Sequence, residues 1–139
     1  MRLEHSFVIA RPPEEVFAFL ADPANLPRWQ TGLVEVRKEG ERRHVEIRSL
    51  LGKRIEQTLV VTAYEPPHRL DLSVVEGPLP LRVSHTLESV DGGTRLTVVG
   101  EGEARGLPRL VARMAAKAVE QQSKHDFGKL KRILEGGVE

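Results

Sequence analysis

The order in which hydrophobic periods succeed one another limits this chain to few folds. A period-two stretch, Leu3, His5, Phe7 and Ile9, runs into Pro12-Pro13, and a helical pattern follows. Neither proline can donate to a strand ladder, so the strand stops there. Pro13 instead suits a first helical turn, with Glu14 and Glu15 at its positive end. Val16, Phe17 and Leu20 then share one face at helical spacing. Asp22-Pro23 ends this helix and caps a shorter one that carries Leu26 and Trp29, the only tryptophan.

Beyond Gly32 the period returns to two. Strands are predicted at 33–38, 43–50, 54–64, 69–75, 81–90 and 94–104. Their short connections include Leu51-Gly52-Lys53, Glu65-Pro66-Pro67-His68 and the hairpin turn Asp91-Gly92-Gly93. Parallel neighbours need long crossovers, so short loops predict an antiparallel meander. Gly106-Leu107-Pro108 opens a final helix of nearly thirty residues that ends at Gly136-Gly137. Its predicted stripes are Leu107, Leu110, Val111, Met114 and Ala118, then Val119, Phe127, Leu130, Ile133 and Leu134. The result is an α+β fold of seven strands, two short helices after strand one, and a long C-terminal helix. A length of 139 residues suits one domain, 1–139.

Composition removes several function classes. A net charge of +1 argues against a nucleic-acid partner. Without cysteine there is neither a disulfide framework nor a thiolate metal site. His5, His44, His68, His85 and His125 show no paired-ligand spacing, so no metal and no cofactor are expected. No apolar run reaches membrane-span length, and no signal-peptide pattern opens the chain, so a soluble cytoplasmic protein without stable membrane insertion is expected. Arg105, Arg109, Arg113, Lys117, Lys124 and Lys131 fall in one sector of the long helix, which suits docking to an anionic membrane surface or an acidic carrier protein but is expected to be a solvated face without an exposed apolar companion. The sequence leaves oligomeric state open.

A half-buried sheet must cover its apolar face, and only the helices can do so. Leu96, Val98, Gly100, Gly102 and Ala104 share one face of the last strand, and Ala115 and Ala118 are small positions of the helix. Small residues on both walls suit either a cavity or a compact small-residue core.

The opening Pro-Pro-Glu-Glu-Val-Phe, Asp-Pro and Leu-Pro-Arg-Trp segments resemble the START-like, or SRPBCC, superfamily, nearest its bacterial polyketide cyclase/dehydrase-like branch. Three later segments agree: Tyr64-Glu-Pro-Pro-His-Arg-Leu70, Gly92-Gly-Thr-Arg-Leu-Thr97 and Asp126-Phe-Gly-Lys-Leu-Lys-Arg-Ile-Leu134. The resemblance implies the helix-grip fold, a curved seven-stranded antiparallel sheet holding the C-terminal helix around a cavity. Its members range over carriers of hydrophobic ligands, aromatases and cyclases, and activators of other proteins.

A hydrophobic small molecule, lipid- or polyketide-like, is therefore the expected partner. The expected walls are Val45 and Ile47 on strand three, Leu59 and Val61 on strand four, and Leu72 and Val74 on strand five. Val83 on strand six, Leu96 and Val98 on strand seven, and Met114 and Ala118 on the helix complete them. Trp29 would border the mouth. His85 shares a strand face with Leu81, Val83 and Leu87 and should point inward, where it could bond a ligand or move a proton. Gln57 is a second inward polar candidate, and Gln121, Gln122 and His125 would form a polar end. Two alternatives stay open: an enzyme of the cyclase, aromatase or dehydratase kind using His85 as its acid–base group, and a non-enzymatic protein-interaction module.

Overall fold

The computed structural model describes residues 1–50, 52–103 and 106–136. The chain runs β1 (Arg2–Ile9), α1 (Pro13–Ala21), a 3-10 turn (Pro23–Asn25) and α2 (Leu26–Trp29). It continues through β2 (Leu33–Gly40), β3 (Arg43–Leu50), β4 (Lys53–Glu65), β5 (Arg69–Glu76), β6 (Leu81–Val90) and β7 (Gly93–Gly102) to α3 (Arg109–Leu134). All seven strands form one antiparallel sheet in the order β1-β7-β6-β5-β4-β3-β2. The expected meander is thus present, with β1 added beside β7. Leu51, Ala104, Arg105 and Gly137, to which turn, strand, charge-sector and helix-end roles were assigned, lie outside the described residues.

Local chemistry accounts for the breaks. Pro13 opens α1 with Glu14 and Glu15 in its first turn, and Asp22 ends it. The Asp22 side chain then accepts from Ala24 N at 3.0 Å, capping the next turn. At the β6–β7 hairpin Gly93 has φ +155°, and a Cβ there would stand 2.0 Å from the Ile9 carbonyl oxygen. Only glycine lets β1 and β7 meet at that corner.

The core gathers Ile9 from β1, Val16, Phe17 and Leu20 from α1, Leu26 and Trp29 from α2, and Leu70, Leu87, Leu96 and Val98 from the sheet. Phe127 and Leu130 of α3 complete it. The Phe127 ring lies 4.8 Å from that of Trp29 and 5.8 Å from that of Phe7, centroid to centroid. Beyond the helix, Glu135 accepts from Ala10 N at 2.8 Å, tying the end of α3 to the exit of β1.

The first half of α3 departs from expectation. Leu110 is 68% exposed and Met114 65% exposed, and Leu107, Val111, Ala115, Ala118 and Val119 are exposed too. The helix packs mainly on β1 and α2, so only its later turns reach the core. The first predicted stripe is therefore an apolar surface beside Arg109, Arg113 and Lys117, not a wall, and the basic sector does have an exposed apolar companion.

Candidate functional site

A cavity of about 350 Å³ opens between the concave sheet face, α2 and the later turns of α3. Alternation puts residues i and i+2 of each strand on the same face. Ile55, Gln57, Leu59 and Val61 of β4 thus line it, with Leu70, Leu72 and Val74 of β5. Leu81, Val83 and His85 of β6 and Val98 and Gly100 of β7 continue the wall. Trp29 closes one side, and Val119, Gln122, Ser123, Asp126 and Phe127 come from α3. Among the residues singled out from sequence, Trp29, Gln57, Leu59, Val61, Leu72, Val74, Val83, His85, Val98 and Gln122 lie on this surface.

Other expected wall residues do not. Met114 and Ala118 stand on the exposed half of α3, and Gln121 and His125 are exposed and off the lining. Leu96 has no exposure at all and is core, away from the cavity. Val45 and Ile47 are buried, but on the opposite face of β3. Their cross-strand partners there include Arg37 and Glu56, which pair at 2.5 Å. The reason is a change of phase: the inner face of β3 carries His44, Glu46 and Arg48.

These three side chains form a charged wall. His44 Nε2 lies 3.1 Å from Glu46 Oε2. Arg48 donates from Nε (3.2 Å) and Nη2 (2.7 Å) to Glu46 Oε1, and from Nη2 to Gln30 Oε1. His44 and Glu46 are almost wholly buried, while Arg48 keeps a quarter of its side-chain exposure. Burial pushes the Glu46 carboxyl up, but the His44 hydrogen bond and the charge and hydrogen bonds of Arg48 outweigh it, so its pKa lies below the ordinary value. A carboxylate only accepts, so His44 Nε2 carries a proton and donates.

A second polar group joins α3 to the α2–β2 loop. Asp126 accepts from Thr31 N (3.2 Å) and Thr31 Oγ1 (2.8 Å), and from Gln122 Nε2 (3.0 Å). Gln57 Oε1 accepts from Leu79 N at 2.9 Å. His85 Nδ1 lies 2.9 Å from the Leu70 carbonyl oxygen and must donate to it. Burial lowers the His85 pKa more than the Leu70 bond and the Asp71 charge raise it, so the ring is neutral and Nε2 is an acceptor. Among the described residues, one buried side-chain polar atom lacks a partner, the Trp29 indole Nε1. His85 Nε2 makes no hydrogen bond among the described residues, and its ring lines the cavity. No group of three or more His, Cys, Asp or Glu suited to a metal ion occurs among the described residues.

Sequence reasoning found His85 and Gln57 but missed His44, Glu46, Arg48 and Asp126. The missing signal was register. Leu50 pairs with Lys53 across the turn, which sets Glu46 opposite Gln57 and His44 opposite Leu59. Residues directly opposite share a face, so inward Gln57 and Leu59 require inward Glu46 and His44.

The family model described as polyketide cyclase/dehydrase and lipid transport matches residues 1–135. No match is found among curated proteins. Among solved structures, a protein from Rhodobacter sphaeroides is similar at 28% identity and a TM-score of 0.72, over 96% of this chain and 90% of that one. A Deinococcus radiodurans protein is similar at 18% identity and a TM-score of 0.78, over 99% and 100%. The di-domain ARO/CYC BexL from the BE-7585A biosynthetic pathway is similar at 21% identity and a TM-score of 0.75, over 94% of this chain and 45% of that one.

Proposed function

We propose that this chain, which belongs to the polyketide cyclase/dehydrase and lipid transport family, binds a hydrophobic or amphipathic small molecule in the cavity between its sheet and α3. One observation carries the reading: a cavity of about 350 Å³ whose aliphatic and aromatic walls are interrupted by a few anchored polar groups. That size and lining are the usual small-ligand design, with apolar burial driving binding and the polar groups fixing orientation.

The test uses Trp29, the only tryptophan, which lies on the cavity wall. An apolar fluorophore is titrated while its emission and that of Trp29 are followed. Saturable binding is expected, with Val83→Phe weakening it about tenfold by filling space, while Val45→Phe on the outer face does not. Absence of saturable binding, or equal effects of both variants, overturns the reading.

A second reading, acid–base catalysis on the bound molecule, is favoured by the His44–Glu46 pair, because a carboxylate that orients a histidine is how such bases are held. It predicts turnover that His44→Gln abolishes without loss of binding. A variant that still turns substrate over at the wild-type rate refutes it.

A further inference from the structure

We infer that the cavity selects a neutral, hydroxyl-bearing amphiphile over the carboxylate of the same chain length, an inference that rests on the ligand-binding reading above. The fixed charges on the described lining are Glu46, Asp126 and Arg48. Two carboxylates face one guanidinium, and that guanidinium is already engaged by Glu46 and Gln30. Asp126 takes its donors from Thr31 and Gln122, neither of which is charged. Carboxylates thus outnumber guanidinium groups on this wall.

An incoming carboxylate would have to share Arg48 with Glu46 and would add a further negative charge to a largely apolar space. Like-charge juxtaposition away from water is strongly unfavourable. Hydrogen-bond capacity points the same way. His85 Nδ1 is committed to Leu70, which leaves His85 Nε2 as an acceptor that needs a donor. A carboxylate has no proton to give it. A hydroxyl donates and accepts through one atom. It can therefore meet a histidine nitrogen while accepting from Arg48 Nη1 or Gln57 Nε2, which make no hydrogen bond among the described residues.

The experiment titrates 1-decanol and decanoate separately at pH 7.5, following Trp29 emission, with an apolar fluorophore as displacement probe. Decanol is expected to bind more tightly than decanoate by about tenfold or more. Gln122→Lys places a cation one turn from Asp126 on an exposed position, where an ammonium can take over the donation to Asp126, and is expected to shrink that preference. Equal binding, tighter decanoate, or a preference untouched by Gln122→Lys overturns the selectivity while leaving ligand binding intact. If decanol, decanoate and the fluorophore all fail to bind, the ligand-binding reading fails and the selectivity falls with it.

Discussion

The sharpest quantitative consequence concerns His85 and proton concentration. The ring is 5% exposed, one nitrogen is fixed as a donor to Leu70, and burial holds its native pKa below the ordinary 6.5. In the unfolded chain it titrates near that ordinary value. Folding is therefore most favoured above pH 6.5, and stability falls as the pH drops from 6.5 toward the lowered native pKa, because only the unfolded state takes up the proton in that window. At pH 5.5, one unit below the unfolded pKa, the loss is at most about 1.4 kcal/mol, the limit reached when the native ring stays wholly neutral. For a domain of this size that corresponds to about 3–5 °C in Tm. His85→Gln keeps an amide that can donate to the Leu70 carbonyl but cannot titrate. Urea unfolding of both proteins at pH 7.5 and 5.5 isolates the effect. His5, whose pKa burial also lowers, contributes with the same sign in both proteins and cancels in the difference. Wild type should lose more than the variant on acidification, by at most about 1.4 kcal/mol. Parallel losses would show that His85 is protonated in the native state, and the burial argument would be wrong.

Further outcomes follow from the same geometry. Leu130 has no exposure, so Leu130→Ala should cost about 2–5 kcal/mol in chemical denaturation, whereas Leu110→Ala, on the exposed half of α3, should cost less than about 0.5 kcal/mol. Similar costs would place the first half of α3 on the sheet after all. Glu46→Gln should cost about 2 kcal/mol at pH 7, less than for a fully buried pair because Arg48 is a quarter exposed. The native Glu46 pKa is depressed, so its contribution is complete above pH 4.5 and lost as pH falls through the native value. The difference between wild type and Glu46→Gln should thus close in acid, and one that persists at pH 2 would refute the assignment. Asp126→Ala removes the acceptor of both Thr31 bonds and should cost about 3 kcal/mol, with hydrogen exchange at the Thr31 amide rising more than at β7 amides.

The fold was legible because its punctuation is chemical. Pro12-Pro13, Asp22-Pro23 and Asp91-Gly92-Gly93 each forbid continuation of what precedes them, and the elements fall between them as expected. The α3 stripe misled because helical periodicity says which residues share a face, not whether a neighbour covers it. Leu110 and Met114 share a face that stays mostly exposed, whereas Phe127 and Leu130 meet β1 and α2. The β3 wall misled for a deeper reason. Its two faces hold Val45 and Ile47 against His44, Glu46 and Arg48, and the rule that apolar side chains point inward chooses wrongly. The rule fails where polar side chains line an internal cavity instead of a packed core. The hairpin register with β4 was the available check, since it ties Glu46 to Gln57 regardless of polarity.

The pairing of β1 with β7 has a consequence for how the chain is made. Met1 N donates to Gly102 O across 101 positions, and Arg2 opposes Glu101. On a ribosome, β2 through β7 can zip one hairpin at a time as they emerge. Within this domain the first strand, α1 and Trp29 emerge before the other elements, yet β1 waits for β7 to give it a partner. Contacts that distant in sequence close late and slowly. Phe7, Ile9, Phe17 and Leu20 lack their β7 and α3 neighbours until most of this domain has been made, so these side chains are where its partly made form is most prone to aggregate.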